Sequence, residues 1–240
     1  MLPSDPTFVP RGLATRLFGD GVAVCELDPR TVDPDRGLLA EERTAIARAI
    51  ESRRLQYTAG RVCARDAMRA LGEPLGPVLA GEDRAPTFPD GLVGTITHTQ
   101  WWGAAALARA ETHAALGIDV EPDTPLKAQL FSSVLTPDEQ RELELHPEPL
   151  RGLFGKLIFS AKECAYKCQY TVSRTFYGFH GMRIELPPGL SELPEDGTFR
   201  AIFLRDAGEF RTGDAIEGRF VRAAGYVMTG AELLRDSRGR

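Results

Sequence analysis

Lysine is almost missing from this chain: Lys127, Lys156, Lys162 and Lys167 stand against 25 arginines. Cysteine is as sparse, with Cys25, Cys63, Cys164 and Cys168 in no C-x-x-C pair, and His98, His113, His146 and His180 are scattered. That speaks against a disulfide framework or a zinc site, and reads the thiols as small buried hydrophobes in a reducing cytoplasm. No apolar run approaches the roughly 18 residues of a membrane span. The opening MLPSDPTFVP has no basic end followed by an apolar stretch, so neither a membrane anchor nor a secretory signal is expected. Excess positive charge is lacking too. A formal net charge of −5 disfavours a general nucleic-acid binder.

What is there is an ordinary globular composition, 42% hydrophobic and 26% charged over 240 residues, enough for one large domain or two small ones. Hydrophobic periodicity predicts a strand over 21–28 and helices over 38–50 and 52–71. The second helix has Ser52 as its cap, Gly72 as its stop, and Leu55, Val62, Met68 and Leu71 on its buried side. Loop follows to Gly91, with room for one short strand. Strands are expected over 93–98, 103–108 and 114–121, the last two as a hairpin turning at Arg109–His113. A helix over 136–145 starts with Thr136 as N-cap, Pro137 at N1 and Glu139 at N3. The best-defined helix covers 153–169, and strands over 176–186, 198–204 and 219–228 form a second sheet. Helices followed by strands in each half predict an α+β fold. The expected subdomains are 1–116 and 117–240, tightly packed, with a site between them. No Gly-rich strand-to-helix turn of the phosphate-binding kind is present.

Asp119 and Glu121 fall on one face of the 114–121 strand, with Ile118 and Val120 on the other. Paired carboxylates repel unless a cation lies between them, and hard oxygens at that spacing suit Mg²⁺; the alternative is a solvated hairpin face. On the 153–169 helix, Phe154, Leu157, Ile158, Ala161, Ala165 and Cys168 form an apolar stripe. Glu163 lies nearly opposite it and shares a face with Lys156 and Lys167. That face is either a solvated salt bridge or a third metal carboxylate flanked by cations. Lysine, unlike arginine, can give up a proton, so three lysines within 156–167 bear on that choice.

Together GIDVE (117–121) and FSAKECAYK (159–167) resemble the G-[IV]-D-x-E and F-[SC]-x-K-E-x-x-Y-K motifs of the 4′-phosphopantetheinyl transferases, in the larger monomeric Sfp/EntD-like class. Arg53-Arg54 and Gly60-Arg61-Val62-Cys63-Ala64-Arg65 resemble that family's basic helix. Phe88-Pro89-Asp90-Gly91 and Gly94-Thr95-Ile96-Thr97-His98 resemble its W-P-x-G…G-S-[IL]-[ST]-H run, with Phe88 for Trp and Thr95 for Ser. Tyr177-Gly178-Phe179 matches a weaker aromatic element. The resemblance spans about residues 50 to 180.

It implies a pseudo-twofold pair of α+β subdomains, each with helices on an antiparallel sheet, and transfer of the 4′-phosphopantetheine arm of coenzyme A to a serine of an acyl or peptidyl carrier protein. Adenosine 3′,5′-bisphosphate is the other product. By the same resemblance Asp119, Glu121 and Glu163 hold Mg²⁺, Glu163 is the base, directly or through a metal-bound water, and Lys167 neutralises or protonates the departing phosphate. Arg53, Arg61, Arg84 and His98 grip the coenzyme's phosphates. Trp101 and Trp102 read as packing residues. The expected protein is a cytoplasmic monomer with no nucleic-acid or membrane partner, and its carrier belongs to siderophore, polyketide, nonribosomal peptide or fatty-acid synthesis. Two readings compete, a Mg²⁺-dependent phosphodiesterase or nuclease and a catalytically silent carrier-binding protein. Replacing Asp119 is expected to relieve repulsion and to stabilise the metal-free fold.

Overall fold

The computed structural model describes residues 12–235. Strand β1 (Ala23–Leu27) leads to a one-turn helix α1 (Ala40–Arg43) and the long helix α2 (Glu51–Leu71). A two-residue ribbon, β2 (Leu79–Ala80) and β3 (Pro86–Thr87), precedes β4 (Leu92–His98), β5 (Gly103–Arg109) and β6 (His113–Pro122). Helices α3 (Phe131–Val134), α4 (Pro137–Glu144) and α5 (Glu148–Ser173) follow. Strands β7 (Met182–Glu185), β8 (Asp196–Phe203), β9 (Ala215–Ala223) and β10 (Tyr226–Leu234) complete the described chain. The antiparallel sheets run β1-β5-β4 and β6-β10-β9-β8-β7, beside the β2-β3 ribbon. The fold is α+β.

Helix α2 packs on the first sheet through small residues. Ala59, Cys63, Ala64 and Ala67 are fully buried together with the expected Met68, whereas the expected Leu55, Val62 and Leu71 are only half-buried. A side chain on Gly60 would lie 2.6 Å from Cγ2 of Ile96, so glycine sets how near α2 comes to β4. Ser52 is not its cap. Ile50 occupies that place in extended conformation, with no side-chain bond.

The helix expected over 38–50 is also cut short, to α1 and a 3₁₀ turn at Thr44–Ile46. Its acids are drawn elsewhere: the buried Glu42 carboxylate accepts from the amides of Leu39 (3.0 Å) and Val78 (2.8 Å) and pairs with Arg65 (2.7 Å). The Leu39 bond is local and caps the start of α1, whereas those to Val78 and Arg65 are tertiary and outweigh a few tenths of a kcal/mol per residue of helix propensity.

Strands β5 and β6 do not form the expected hairpin. β5 pairs with β1 and β4, while β6 crosses to the other sheet and pairs with β10. β6 is buried on both faces, so alternation alone could not say which neighbour it has. The two sheets meet where Thr95 Oγ1 accepts the Ile118 amide at 3.3 Å.

The strand expected over 219–228 is broken by a turn: it covers the end of β9, the two residues Ala224–Gly225 and the start of β10. Ala224 (φ 54) and Gly225 (φ 79) both adopt left-handed backbone, as a tight β9–β10 hairpin demands. Of 176–186 only Met182–Glu185 is strand. Arg174 (φ 51) ends α5 and Phe179–Gly181 turns before the sheet begins.

Helix α5 runs beyond its expected 153–169 at both ends, and its stripe of Phe154, Leu157, Ala161 and Cys168 packs with Phe199, Phe203 and Phe220 in the main core. Gly117 of β6 faces it. A side chain there would overlap the Cys164 carbonyl oxygen, so glycine is what lets α5 lie directly on β6. On the other side of β6, Leu116, Ile118 and Val120 join Trp102, Tyr226 and Leu17 in a second core. All four cysteines are free thiols, three of them buried.

Candidate active site

The two-residue period of β6 turns Gly117 and Asp119 toward α5. Asp119 is buried, and three residues hold its carboxylate. Oδ1 accepts from Lys167 Nζ at 2.8 Å and, more weakly, from Thr97 Oγ1 at 3.4 Å. Oδ2 accepts from Ser160 Oγ at 2.9 Å. Lys167 also donates to the Ile118 carbonyl at 3.0 Å. Glu121 accepts from Lys156 at 2.9 Å. Lys156, Ser160, Glu163 and Lys167 share one face of α5 by helical spacing, and they meet the acidic face of β6.

Charge and burial oppose each other at this contact. Burial pushes the Glu163 carboxyl above its ordinary value; Lys167 pulls it down, while Asp119 and Glu121 push it further up. Glu121 is raised by burial and by Asp119, against the pull of Lys156. For Lys167 burial works toward the neutral amine, yet attraction and hydrogen bonding to Asp119, with Glu163 behind it, raise its pKa. Lys167 is therefore a fixed ammonium.

A cationic rim adjoins this centre. His98, at the end of β4, has Nε2 2.8 Å from Arg53 Nη1 of α2. The guanidinium can only donate, so Nε2 accepts and the imidazole is neutral with its proton on Nδ1. Burial, then Arg53, Lys167 and Arg61, press its pKa down to about 4. Arg61 is more enclosed: its guanidinium lies 3.5 Å over the Tyr57 ring, Nε donates to the Val78 carbonyl, and burial lowers its pKa. Arg84 sits with left-handed backbone (φ 67) between β2 and β3. It lines a cleft of ≈ 820 Å³ together with Thr95, Lys167, Tyr170 and Arg174. Asp83 accepts from Tyr170 at 2.8 Å and so ties the ribbon to α5. A smaller aromatic pocket of ≈ 180 Å³ lies beside Glu163, between Tyr166, Phe176, Tyr177 and Phe179.

Carboxylates, a fixed ammonium that also lines the cleft, and neighbouring cationic side chains suit chemistry on a phosphate ester. Residues 41–108 match the family model of the 4′-phosphopantetheinyl transferase N-terminal domain, and residues 115–212 that of the 4′-phosphopantetheinyl transferase superfamily. The chain is 37% identical over 208 residues to the 4′-phosphopantetheinyl transferase Svp of Streptomyces mobaraensis, covering 82% of this chain and 79% of that protein. It belongs to the 4′-phosphopantetheinyl transferase superfamily. Npt of Nocardia iowensis is 33% identical over 194 residues, with coverage of 78% and 86%. PptT of Mycobacterium tuberculosis is 32% identical over 180 residues, with coverage of 74% and 77%.

Not every polar residue of the transferase motif faces the cleft. Lys162 is buried and donates to Glu139 (2.7 Å) and to the carbonyls of Val134 and Phe179 (both 2.9 Å), so it braces α4 and the 179–181 turn against α5. Sequence reasoning missed Thr97, Ser160 and Thr229. The first two lie inside motif segments with only their spacing as a signal, and Thr229 reaches the site through the β6–β10 pairing. Trp101 and Trp102 pack as expected, Trp101 beneath Arg30 and Trp102 edge-on against Tyr226.

Among the described residues no three His, Cys, Asp or Glu side chains form a ready metal cluster. Asp119 and Glu121 instead carry lysine partners. The donor chemistry nonetheless fits Mg²⁺. Asp119 stands close enough to raise the pKa of Glu121, and both raise that of Glu163, while Mg²⁺ needs only one or two carboxylates beside water and substrate phosphates.

Proposed function

We propose that this chain moves the 4′-phosphopantetheine arm of coenzyme A onto a serine hydroxyl of an acyl or peptidyl carrier protein, releasing adenosine 3′,5′-bisphosphate, as a transferase of the holo-[acyl-carrier-protein] synthase type. The observation that carries this reading is the Asp119–Lys167–Glu163 constellation between β6 and α5, in a chain whose relatives bear the transferase name. The reaction is attack of an alcohol on a diphosphate, so it needs positioning, a base and charge neutralisation.

Asp119, Glu121 and Glu163 would hold Mg²⁺, which when bound neutralises charge on the diphosphate oxygens. Glu163 takes the proton of the carrier serine, and a carboxyl raised by burial is better matched to that task than an ordinary one. Lys167, kept charged by Asp119, stands as counter-ion to the departing phosphate. Arg53, whose guanidinium donates to a neutral His98, and Arg84, at the cleft wall, meet the other phosphates of the coenzyme. Arg61 supports them from its buried place against Tyr57. We assign the N-terminal contributions to 1–116 and the metal and catalytic residues to 117–240, two subdomains related by a pseudo-twofold axis with the site between them. A cytoplasmic monomer is the form we expect to act. Among the described residues no helix is long and apolar enough to cross a membrane.

Incubation with coenzyme A, Mg²⁺ and a carrier protein, read by intact mass, tests this. A gain of one phosphopantetheinyl group on the carrier is the expected result, and an unchanged carrier across a panel of carrier types overturns it.

A further inference from the structure

Asp119 meets Lys167 through a side chain whose terminal torsion is soft, since a carboxylate turns about its last bond through a broad, roughly two-fold well. Something must decide which oxygen faces the site. Oδ2 is taken by Ser160 Oγ of α5 at 2.9 Å, and Ser160 is fully buried. Behind it lies Thr229, also fully buried, on the strand paired with β6 and directly opposite Asp119 in register. Thr229 Oγ1 is 2.9 Å from Ser160 Oγ and 3.0 Å from the Ser160 carbonyl oxygen.

Each hydroxyl has one proton to give. That of Ser160 goes to the charged carboxylate, the strongest acceptor within reach. The proton of Thr229 is then directed at Ser160, at its carbonyl and hydroxyl oxygens together. The chain of donation runs Thr229 to Ser160 to Asp119, and each bond polarises the next. Oδ2 is thereby held toward the interior, and Oδ1 is the oxygen left on the Lys167 and Thr97 side.

We infer that Ser160 and Thr229 are positioning residues, a two-hydroxyl relay that fixes the Asp119 carboxylate so that Oδ1 alone is presented to the metal and substrate. Neither touches the reacting atoms. The inference rests on the proposed function above, because it takes Asp119 as a Mg²⁺ ligand. It adds a residue from β10, 69 positions after Ser160, to the machinery of the site.

The test compares Thr229→Val, Thr229→Ser and Ser160→Ala with the wild type. Calorimetric titration with Mg²⁺ in the presence of coenzyme A is read beside melting temperature and the KM for Mg²⁺. Losing a partner of a metal-bound carboxylate typically costs about 10–100-fold in metal affinity. Thr229→Val is therefore expected to weaken Mg²⁺ on the order of 10-fold, and Ser160→Ala by at least as much, with the loss in KM for Mg²⁺ exceeding that in kcat. Thr229→Ser restores the hydroxyl and is expected within about threefold of wild type. A purely packing role would lower the melting temperature and leave Mg²⁺ affinity alone. If Thr229→Val binds Mg²⁺ like the wild type, or if it is insoluble and Ser160→Ala does so, the relay is overturned while the function stands. A wild type that neither binds Mg²⁺ nor loads any carrier overturns both.

Discussion

At His98 a neutral ring accepts a hydrogen bond that a protonated one would refuse. Burial disfavours the charged ring, and Arg53, Lys167 and Arg61 around it repel the proton further, so the pKa falls to about 4. The sign of the linkage follows. As pH drops below the unfolded value of about 6.5, the unfolded chain binds this proton before the native one does. The stability His98 contributes is thus complete above about 6.5 and is lost as pH falls toward 4. The imidazole resonance should titrate near pH 4 in the free protein and move upward when adenosine 3′,5′-bisphosphate supplies negative charge to the rim. A free-protein midpoint at or above 6.5 would refute the buried, cationic environment. The same reasoning separates two carboxylates that look alike in sequence. Asp119 is paired with Lys167 and bonded by Ser160, so Asp119→Ala strands a cation and is expected to lower the melting temperature. Its loss does relieve repulsion on Glu121 and Glu163, but the broken pairing with Lys167 and Ser160 is expected to outweigh that relief. Glu163 is the carboxylate under repulsion, its pKa raised by burial and by both neighbours. Glu163→Gln should hold or raise the melting temperature without Mg²⁺ while transfer collapses, and a clear drop in melting temperature would count against this account.

Elements with strong local signals were readable in advance. Helix α4 was, because Thr136, Pro137 and Glu139 form a capping box whose two bonds close at 2.7 and 3.2 Å. Helix α5 was, because its apolar stripe is long. The face of α5 toward β6 was readable too, since Glu163 and Lys167 share it by spacing alone. Elements decided by distant partners were not. α1 stops because Glu42 turns to Arg65 and Val78, and α2 buries alanines and Gly60 where leucines were expected. Lys162 shows the limit within a motif, since its spacing cannot tell a bracing ammonium from a site one. It fills three acceptors with no solvent to replace it. Lys162→Met should therefore cost about 3–5 kcal/mol in chemical denaturation, because Glu139 is left charged and buried. Replacing Glu139 by Gln in the same chain should recover part of that loss. A single variant within about 1 kcal/mol of wild type would show that the pair does not brace α4.

Across the whole molecule, what the sequence could not carry was the pairing of strands. Both faces of β6 are buried, so its alternation placed Asp119 and Glu121 on one face correctly but gave no clue that β10, rather than β5, lies beside it. That pairing is what brings Thr229 opposite Asp119. It also leaves the two sheets joined through side chains at the site itself, Thr95 to the Ile118 amide and Thr97 to Asp119. Those bonds tie the cationic rim of α2 and β4 to the carboxylate and lysine face of β6 and α5. Heat should accordingly unfold the protein in one calorimetric transition rather than two. Coenzyme A bridging both sides should raise that single transition. At a hundred times its Kd the gain is about 2.7 kcal/mol, which for a chain of this size is roughly 5–10 °C. Hydrogen exchange supplies the spatial half of the test. Protection on adding coenzyme A and Mg²⁺ should appear together at the start of α2, in the β2–β3 ribbon and along α5 from Glu163 to Arg174. Protection confined to one side, or two transitions of which coenzyme A moves only one, would mean that the cleft is not shared between the sheets.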